Sequence, residues 1–277
     1  NDMTIIISEL ATGNHIETIT GHTDNINSVA ISPNGMYIVS GSNDMTVRIY
    51  ELATGNHIET ITGHTGNINS VAISPDGMYI VSGSDDMTIR VTQFTTWKHM
   101  RTITGHTKPV TSIAISPNSM YIVSGSNDKS IRVTHLTTGR NIRTITGNNG
   151  SVTSVAISPD GLYIVSGSND MTIGVYYFTN GELVRTIEVY TSVTSLAFSP
   201  NGIYIAIGNV NKSVEIYDIT TGTLQLKPIG NTDVVTSVAI SSSGNYLVNG
   251  NKDATIIISI LDIFANSALN GNYTVDD

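Results

Sequence analysis

The sequence contains no cysteine among its 277 residues. That absence excludes disulfide bonds, thiol nucleophiles and thiolate metal sites, although it does not fix the cellular compartment. No apolar run reaches the length of a membrane-spanning helix, and no secretory signal opens the chain. We therefore expect a cytoplasmic protein with no membrane partner.

Charged residues are also scarce, at 13% of the chain, and the net charge is −9. A general nucleic-acid binder needs many lysines and arginines to displace phosphate counterions, so we expect no nucleic-acid partner. The chain has no phosphate-binding loop motif either, since its Gly-Ser pairs belong to turns. We expect no cofactor.

A short motif recurs along the chain at nearly constant spacing. Its serines are followed by a branched or long apolar residue and alanine, and their spacings are 42, 42, 42, 41 and 42 residues. The six copies begin at Ser28, Ser70, Ser112, Ser154, Ser195 and Ser237. Regularity of this kind indicates an internal repeat of about 42 residues, which must be recognised before any fold is assigned.

Each repeat reads as four short strands rich in β-branched residues, with no helical periodicity. In the first full copy these strands are Ile26–Ser32, Met36–Gly41, Thr46–Tyr50 and His57–Thr62. One such sheet cannot bury both of its faces alone, whereas stacking the sheets around an axis covers each with its neighbours. We therefore predict an all-β protein: a β-propeller of four-stranded antiparallel blades, with residues 1–277 as a single domain.

The strand count allows two numbers of blades. The third strand occurs seven times, from Thr4–Ser8 to Thr255–Ser259, but the first strand occurs six times. Either there are seven blades, the first of them incomplete, or the strand at His15–Thr20 completes the last of six. We favour seven. Residues 261–277 form a divergent C-terminal tail that is a candidate for a final outer strand.

Three of the repeats share a further pattern. The pairs Gly21-His22, Gly63-His64 and Gly105-His106 each precede a repeated first strand, and an aspartate follows every one of these histidines after 22 residues. This pattern resembles the WD-repeat family across nearly the whole chain. The resemblance implies a propeller, usually of seven blades, that assembles protein complexes.

The sequence departs from that family in two ways. The Trp-Asp pair is absent, and the tryptophan position holds Tyr50, Thr92, Thr134, Tyr176, Tyr217 and Ser259. The Gly-His pair becomes Gly147-Asn148, is lost around Tyr190, and then reads Gly230-Asn231. We expect weaker blades where the histidine is lost.

The resemblance implies that the repeated polar residues are structural. Each histidine would bond the aspartate of its own blade, a serine would complete the network, and a Tyr or Thr hydroxyl would replace the missing tryptophan or leave its place empty. The three networks are His22, Ser40 and Asp44; His64, Ser82 and Asp86; and His106, Ser124 and Asp128. Histidines in separate blades lie too far apart to bind one metal ion. Catalysis needs one asymmetric constellation, which an even repeat does not provide, so we predict neither a metal site nor an enzyme.

The resemblance also implies a binding surface on the face that carries the loops before the first strands. The residues placed there are small, polar and nearly uncharged, and lack the aromatic and arginine side chains that usually dominate interfaces. They are Asn25, Asn27, Asn43, Asn67, Asn69, Asp85, Thr111, Asn127, Thr153, Asn169, Thr194 and Thr236. This face is either merely solvated or makes weak, multivalent contacts.

Two features break the repeat. Trp97, the only tryptophan, replaces the turn glycine equivalent to Gly55, where it either covers neighbouring apolar atoms or anchors a partner. The segment from Arg90 to Arg143 holds eight basic residues and one acid, so it carries +7 and the remainder −16. On the outer strand, the position of Glu17 and Glu59 becomes Arg101, Arg143 and Arg185. The segregation reflects either drift between repeats or docking, including self-association, through edges of complementary charge.

We therefore predict a noncatalytic protein–protein interaction scaffold of the WD-repeat type, with partners that the sequence does not identify. The alternative is a structural building block packed by its edges into a large assembly such as a virus particle or coat.

Overall fold

The computed structural model describes residues 3–261, which form 25 antiparallel β-strands in seven sheets. A two-stranded N-terminal sheet contains β1 (Ile5–Ser8) and β2 (His15–Ile19). Five four-stranded blades and one three-stranded blade follow in chain order. The β-propeller of four-stranded antiparallel blades is confirmed.

The strands of the first three blades have closely similar sequences. The first blade has β3 (Ile26–Ile31), β4 (Tyr37–Ser42), β5 (Val47–Glu51) and β6 (His57–Ile61). The second has β7 (Ile68–Ile73), β8 (Tyr79–Ser84), β9 (Ile89–Gln93) and β10 (His99–Ile103). The third has β11 (Val110–Ile115), β12 (Tyr121–Ser126), β13 (Ile131–His135) and β14 (Asn141–Ile145).

The remaining blades keep the same order with more variation in sequence. The fourth has β15 (Val152–Ile157), β16 (Tyr163–Ser168), β17 (Thr172–Tyr177) and β18 (Leu183–Glu188). The fifth has β19 (Val193–Phe198), β20 (Tyr204–Asn209), β21 (Val214–Asp218) and β22 (Leu224–Leu226). The sixth has β23 (Val235–Ile240), β24 (Tyr246–Asn251) and β25 (Ile256–Ile260).

The described residues therefore contain six blades with an inner strand, which is the number that the alternative interpretation gave. A seventh blade, which we favoured, is not seen in residues 3–261. The strand at His15 does not complete the last blade either, because β2 pairs with β1. The tail that we considered as an outer strand lies outside the described residues, apart from Leu261, which is buried.

Blades pack by inserting apolar side chains of one inner strand into a glycine notch of the blade before it. A Cβ atom on Gly41 would lie 2.5 Å from Cγ2 of Ile68 and 2.8 Å from Cγ1 of Val71, so only glycine fits. The same arrangement recurs at Gly83, Gly125, Gly167 and Gly208. Burying each such side chain contributes about 1.5–3 kcal/mol, which makes the interfaces between blades the main apolar core.

The serine of the repeated motif has a role between blades. The Ser28 hydroxyl oxygen accepts a hydrogen bond from the backbone N–H of Val71 in the next blade, at 3.1 Å. Equivalent bonds join Ser70 to Ile113, Ser112 to Val155, Ser154 to Leu196 and Ser195 to Val238. The motif therefore repeats because each inner strand needs both a serine acceptor and an apolar knob.

The stack is uneven at its start. The sheet β1–β2 covers only the outer part of the first blade, where Ile5 and Ile19 pack against Ile38 and Tyr50. The inner strand of that blade is left open, so that Val29 is 54% exposed while its equivalent Val71 is 6% exposed. Within residues 3–261 there is no helix long and apolar enough to cross a membrane.

Candidate functional site

Two faces of the propeller carry its loops. The upper face holds the loops that enter each inner strand and the turns between second and third strands. The lower face holds the turns between first and second strands and between third and fourth strands. The predicted histidine networks lie just beneath the upper face, and Trp97 lies on the lower face.

The first blade shows the geometry of the predicted network. His22 Nδ1 lies 2.7 Å from Asp44 Oδ2, and His22 Nε2 lies 2.7 Å from Ser40 Oγ. An ionised carboxylate only accepts, so Nδ1–H donates to Asp44 and the Ser40 hydroxyl donates to Nε2. The same bonds measure 2.7 and 2.9 Å at His64, and 2.8 and 2.8 Å at His106.

The aspartate is the centre of each network. Asp44 Oδ2 also accepts from the backbone N–H of Thr23 at 3.0 Å, and Oδ1 accepts from the Thr46 hydroxyl at 2.6 Å. Burial opposes ionisation of Asp44, but the bonds from Thr46, His22 and Thr23 outweigh it and hold the pKa at about 2. The pKa values of Asp86 and Asp128 are likewise about 2. Burial lowers the pKa of His22, so its imidazole is neutral at neutral pH.

Serine, histidine and aspartate are thus aligned as in a nucleophilic triad, but the serine is sealed. Ser40 and Ser124 are 0% exposed and Ser82 is 5% exposed, and no substrate carbonyl can reach their hydroxyl groups. The arrangement joins the entry loop, the second strand and the following turn of one blade. The part of the chain that the structure describes has no group of three or more His, Asp or Glu side chains that could hold a metal ion.

Sequence reasoning missed a fourth participant on the third strand. A Cβ atom on Gly63 would lie 2.6 Å from Nη2 of Arg90, and Arg90 Nη1 donates to the Gly63 carbonyl at 3.1 Å. Arg48 and Arg132 lie in the same way beneath Gly21 and Gly105. The signal was present in the sequence, because each arginine follows the network aspartate after four residues.

Later blades replace the network step by step. In the fourth blade the Tyr176 hydroxyl donates to Asn148 Oδ1 at 3.3 Å, and Asp170 still caps the entry loop. In the sixth, Asn249 Nδ2 donates to Asn231 Oδ1 at 2.7 Å.

The fifth blade is apolar at two network positions. Val189 and Ile207 stand in the register of His22 and Ser40 and are 7% and 0% exposed. Glu215 stands in the register of Arg48, is 2% exposed, and pairs with Lys227 at 2.7 Å. The Tyr217 hydroxyl donates to Glu215 at 2.9 Å, and burial together with this carboxylate raises the pKa of Tyr217.

Comparison with protein families supports the same repeat. The model of the WD domain, G-beta repeat, matches residues 13–51, 55–92, 97–134, 139–176, 181–218 and 222–258. The chain belongs to the WD-repeat family. Propellers of this family are generally noncatalytic scaffolds that bind proteins. A search of curated proteins finds no match to this WD-repeat chain.

The matched segments are offset from the blades of this WD-repeat protein. Each runs from an outer strand through the first three strands of the next blade, so that residues 55–92 contain β6 to β9. Every family repeat therefore crosses one interface between blades. Each family repeat therefore includes the entry loop that links one blade to the next, and in three repeats this loop holds the histidine.

Several residues predicted to bind partners on the upper face join blades instead. Asn27 Nδ2 donates to the carbonyl of Ile68 in the next blade at 2.9 Å, and Asn69 donates to that of Val110 at 2.9 Å. The hydroxyl groups of Thr111, Thr153 and Thr194 donate to the equivalent carbonyls of Val152, Val193 and Val235. Thr236 donates to Gly250 of its own blade.

The side chains of the other predicted residues make no hydrogen bond to a neighbouring blade within residues 3–261. Asn43 and Asp85 accept from Asn27 and Asn69. The side chains of the other predicted asparagines make no hydrogen bond within residues 3–261. These are Asn25, Asn67, Asn127 and Asn169.

The three outer-strand arginines are engaged by the neighbouring blade. Arg143 donates through Nη1 to the Phe178 carbonyl at 3.1 Å and through Nη2 to that of Thr179 at 2.7 Å. Arg101 donates to Thr137 at 3.2 Å and Arg185 to Thr220 at 2.8 Å. These three arginines, which the sequence suggested as edge contacts for a partner, therefore stabilise turns on the lower face of the neighbouring blade.

Trp97 packs against neighbours in the way that the first of its two interpretations requires. Its ring lies 5.0 Å from Phe94 and 6.4 Å from Tyr37, both edge to face. It is nevertheless only partly buried and lines a groove of about 400 Å³ on the lower face.

Proposed function

We propose that this WD-repeat protein is a noncatalytic scaffold that binds protein partners through the loops of its faces. The observation that carries the proposal is the division of its polar groups. The serines, histidines and aspartates of the three networks are bonded within their own blades beneath the loops, whereas unbonded amides remain on the loops of the upper face. Groups of this kind suit reversible contacts and offer no nucleophile.

Asn67, on the entry loop of the second blade, and Asn127, on a turn of the third, provide the test, since their side chains make no hydrogen bond within residues 3–261. We would compare proteins captured from a lysate of the source cells by the wild type, by Asn67→Lys with Asn127→Lys, and by Met120→Lys. Met120 is 46% exposed on the lower face and serves as the matched control.

The proposal expects a partner that is captured by the wild type and the control but lost from the double variant, with unchanged thermal midpoints. A set of captured proteins that is the same for all three chains and for an unrelated bait would contradict it.

The second candidate, a building block that self-associates, is favoured by the open face of the first blade. Val29 and Ile31 are 54% and 61% exposed there, although their equivalents insert into a preceding blade elsewhere. Gly250 of the sixth blade is the matching notch, and among residues 3–261 no residue of another blade lies within 4 Å of a Cβ built on it. Sedimentation velocity over a hundredfold concentration range tests this. Association that Val29→Lys abolishes supports the building block, and a monomer throughout contradicts it.

A further inference from the structure

The groove beside Trp97 lies between the first and second blades on the lower face. It has a volume of about 400 Å³, and its walls include Pro33, Tyr37, Asp76, Phe94 and Trp97. The Tyr37 and Phe94 rings are 5.5 Å apart at 68°, and Trp97 stands at 60° to Phe94 and 75° to Tyr37. Three aromatic rings in different planes therefore surround one end of the groove.

Trp97 occupies this place against the local preference of the backbone. Its φ is 57°, in the left-handed region that costs an L side chain energy. The same turn position holds glycine at φ 67–74° elsewhere, namely Gly13, Gly55, Gly139, Gly181 and Gly222. Compared with glycine, the tryptophan therefore strains the backbone of this turn. It also adds an aromatic side chain that the equivalent turns with glycine lack.

Asp76 gives the groove its charge. Its Oδ1 accepts from the Ser74 hydroxyl at 2.5 Å and from the Met78 backbone N–H at 3.0 Å, which fixes the carboxylate at the wall. Lys98 is exposed next to Trp97 but does not line the groove. Aromatic faces attract cations, and a carboxylate beside them selects a cation over an anion or a neutral chain.

We propose that this groove binds a lysine or arginine side chain of a protein partner, between the aromatic rings and Asp76. The proposal rests on the scaffold function, for which it names the chemistry of one contact. Phe94 and Trp97 belong to the segment that carries +7, but Pro33, Tyr37 and Asp76 belong to the remainder of the chain, whose charge of −16 favours the approach of a basic segment.

The chain itself contains the equivalent set of positions with glycine in place of the tryptophan. Between the third and fourth blades, Tyr121 and Phe178 lie 5.6 Å apart at 64°, Asp160 stands at the position of Asp76, and Gly181 stands at that of Trp97. The variants for the test can therefore be copied from other blades. Trp97→Gly restores the usual turn, and Asp76→Asn reproduces Asn34, Asn118 or Asn201.

Because Trp97 is the only tryptophan, its fluorescence reports directly on the groove. The probes are capped heptapeptides of glycine and serine whose central residue is lysine, arginine, norleucine or glutamate. We expect saturable changes with lysine and arginine, binding of norleucine weaker on the order of tenfold, and no response to glutamate.

Calorimetry with the lysine peptide then separates the variants. Asp76→Asn should weaken binding on the order of tenfold, Asp160→Asn should leave it unchanged, and Trp97→Gly should abolish it while keeping or raising the thermal midpoint. Equal binding of lysine and norleucine, or full binding by Trp97→Gly, would overturn the proposal. If no peptide binds but partner capture still depends on Asn67 and Asn127, the cation site is wrong and the scaffold function stands.

Discussion

In the second blade, the space beneath the entry loop is filled by His64, Ser82 and Asp86, which bond one another. In the fifth blade, Val189 and Ile207 fill the first two of these places and belong to the apolar core. Both blades nevertheless pair four strands in the same register. The comparison teaches that the inner strands and their glycine notches make the blade, while the space beneath the loop accepts either a complete polar network or apolar side chains.

The polar blades should be sensitive to acid, and this is the largest effect that we expect. The folded-state pKa values of Asp44, Asp86 and Asp128 lie near 2 rather than 3.8, so their stabilisation is complete above about pH 4 and lost as pH falls through 2. Each contributes about 2 kcal/mol to the free energy of unfolding. The histidines act in the same direction, because their lowered pKa values make protonation below pH 6.5 favour the unfolded chain.

Thermal midpoints between pH 7 and pH 2 measure this loss. The control replaces the second network by the residues of the fifth blade, His64→Val with Ser82→Ile and Asp86→Asn. We expect this variant to lose about a third of the acid sensitivity, and an unchanged pH profile would contradict the role of the network.

Breaking one polar network should destabilise more than replacing it. Asp86→Ala leaves the Nδ1–H of buried His64 and the N–H of Thr65 without their acceptor, and we expect a loss of about 3 kcal/mol in urea denaturation. The triple replacement should cost less than about 1.5 kcal/mol, since apolar groups of similar volume often substitute for a complete buried network. An equal loss of stability in Asp86→Ala and in the triple variant would show that apolar side chains cannot replace the polar network of the second blade.

The fifth blade should depend on its own ion pair. Lys227→Met removes the partner of a carboxylate that is almost fully buried and leaves Glu215 with the Tyr217 hydroxyl as its main donor. We expect a loss of about 1–2 kcal/mol, because the lysine side chain is itself half exposed. Lys212→Met is the control, since Lys212 contacts a backbone carbonyl rather than the carboxylate.

The smallest effect concerns the outer strands, where the blades differ between glutamate and arginine. Arg143→Met removes two hydrogen bonds to the next blade, and we expect a loss of about 1 kcal/mol in the same denaturation assay. Arg140→Met is the control, because that side chain makes no hydrogen bond within residues 3–261. If both variants match the wild type, the arginines are free for the edge contacts that the sequence suggested.

Much of this architecture could be predicted from the sequence. In the first blade the predicted strand bounds agree with the observed ones to within one residue at each end, because every turn between strands contains Pro, Gly or Asn. The serine and aspartate partners of the three histidines came from the family resemblance rather than from spacing, and the structure has hydrogen bonds between these residues. The prediction that blades without histidine are weaker stays a prediction, and the apolar packing of Val189 and Ile207 gives a reason against it in the fifth blade.

The remainder required positions in space. Nothing in the sequence distinguishes Asn27, which reaches the next blade, from Asn25, which does not, since both flank the same strand residue. The arginines likewise read as surface charge because their carbonyl partners lie about 36 residues away. The number of blades could not be settled by counting strands, because residues 4–8 at β1 and 255–259 at β25 share the sequence Thr-Ile-Ile-Ile-Ser and only their pairing distinguishes them.

The serine that opens each repeated motif gives the stack a direction. At each of the five junctions between the six blades, the earlier blade accepts a hydrogen bond from the backbone of the later one, so an inner blade that was turned over would not fit. A tandem duplication of one 42-residue unit, begun at any point of the repeat, recreates a complete acceptor, notch and knob at the new junction. A gene built this way can lengthen or shorten by whole units without designing a new interface, which suits the near identity of its first three blades.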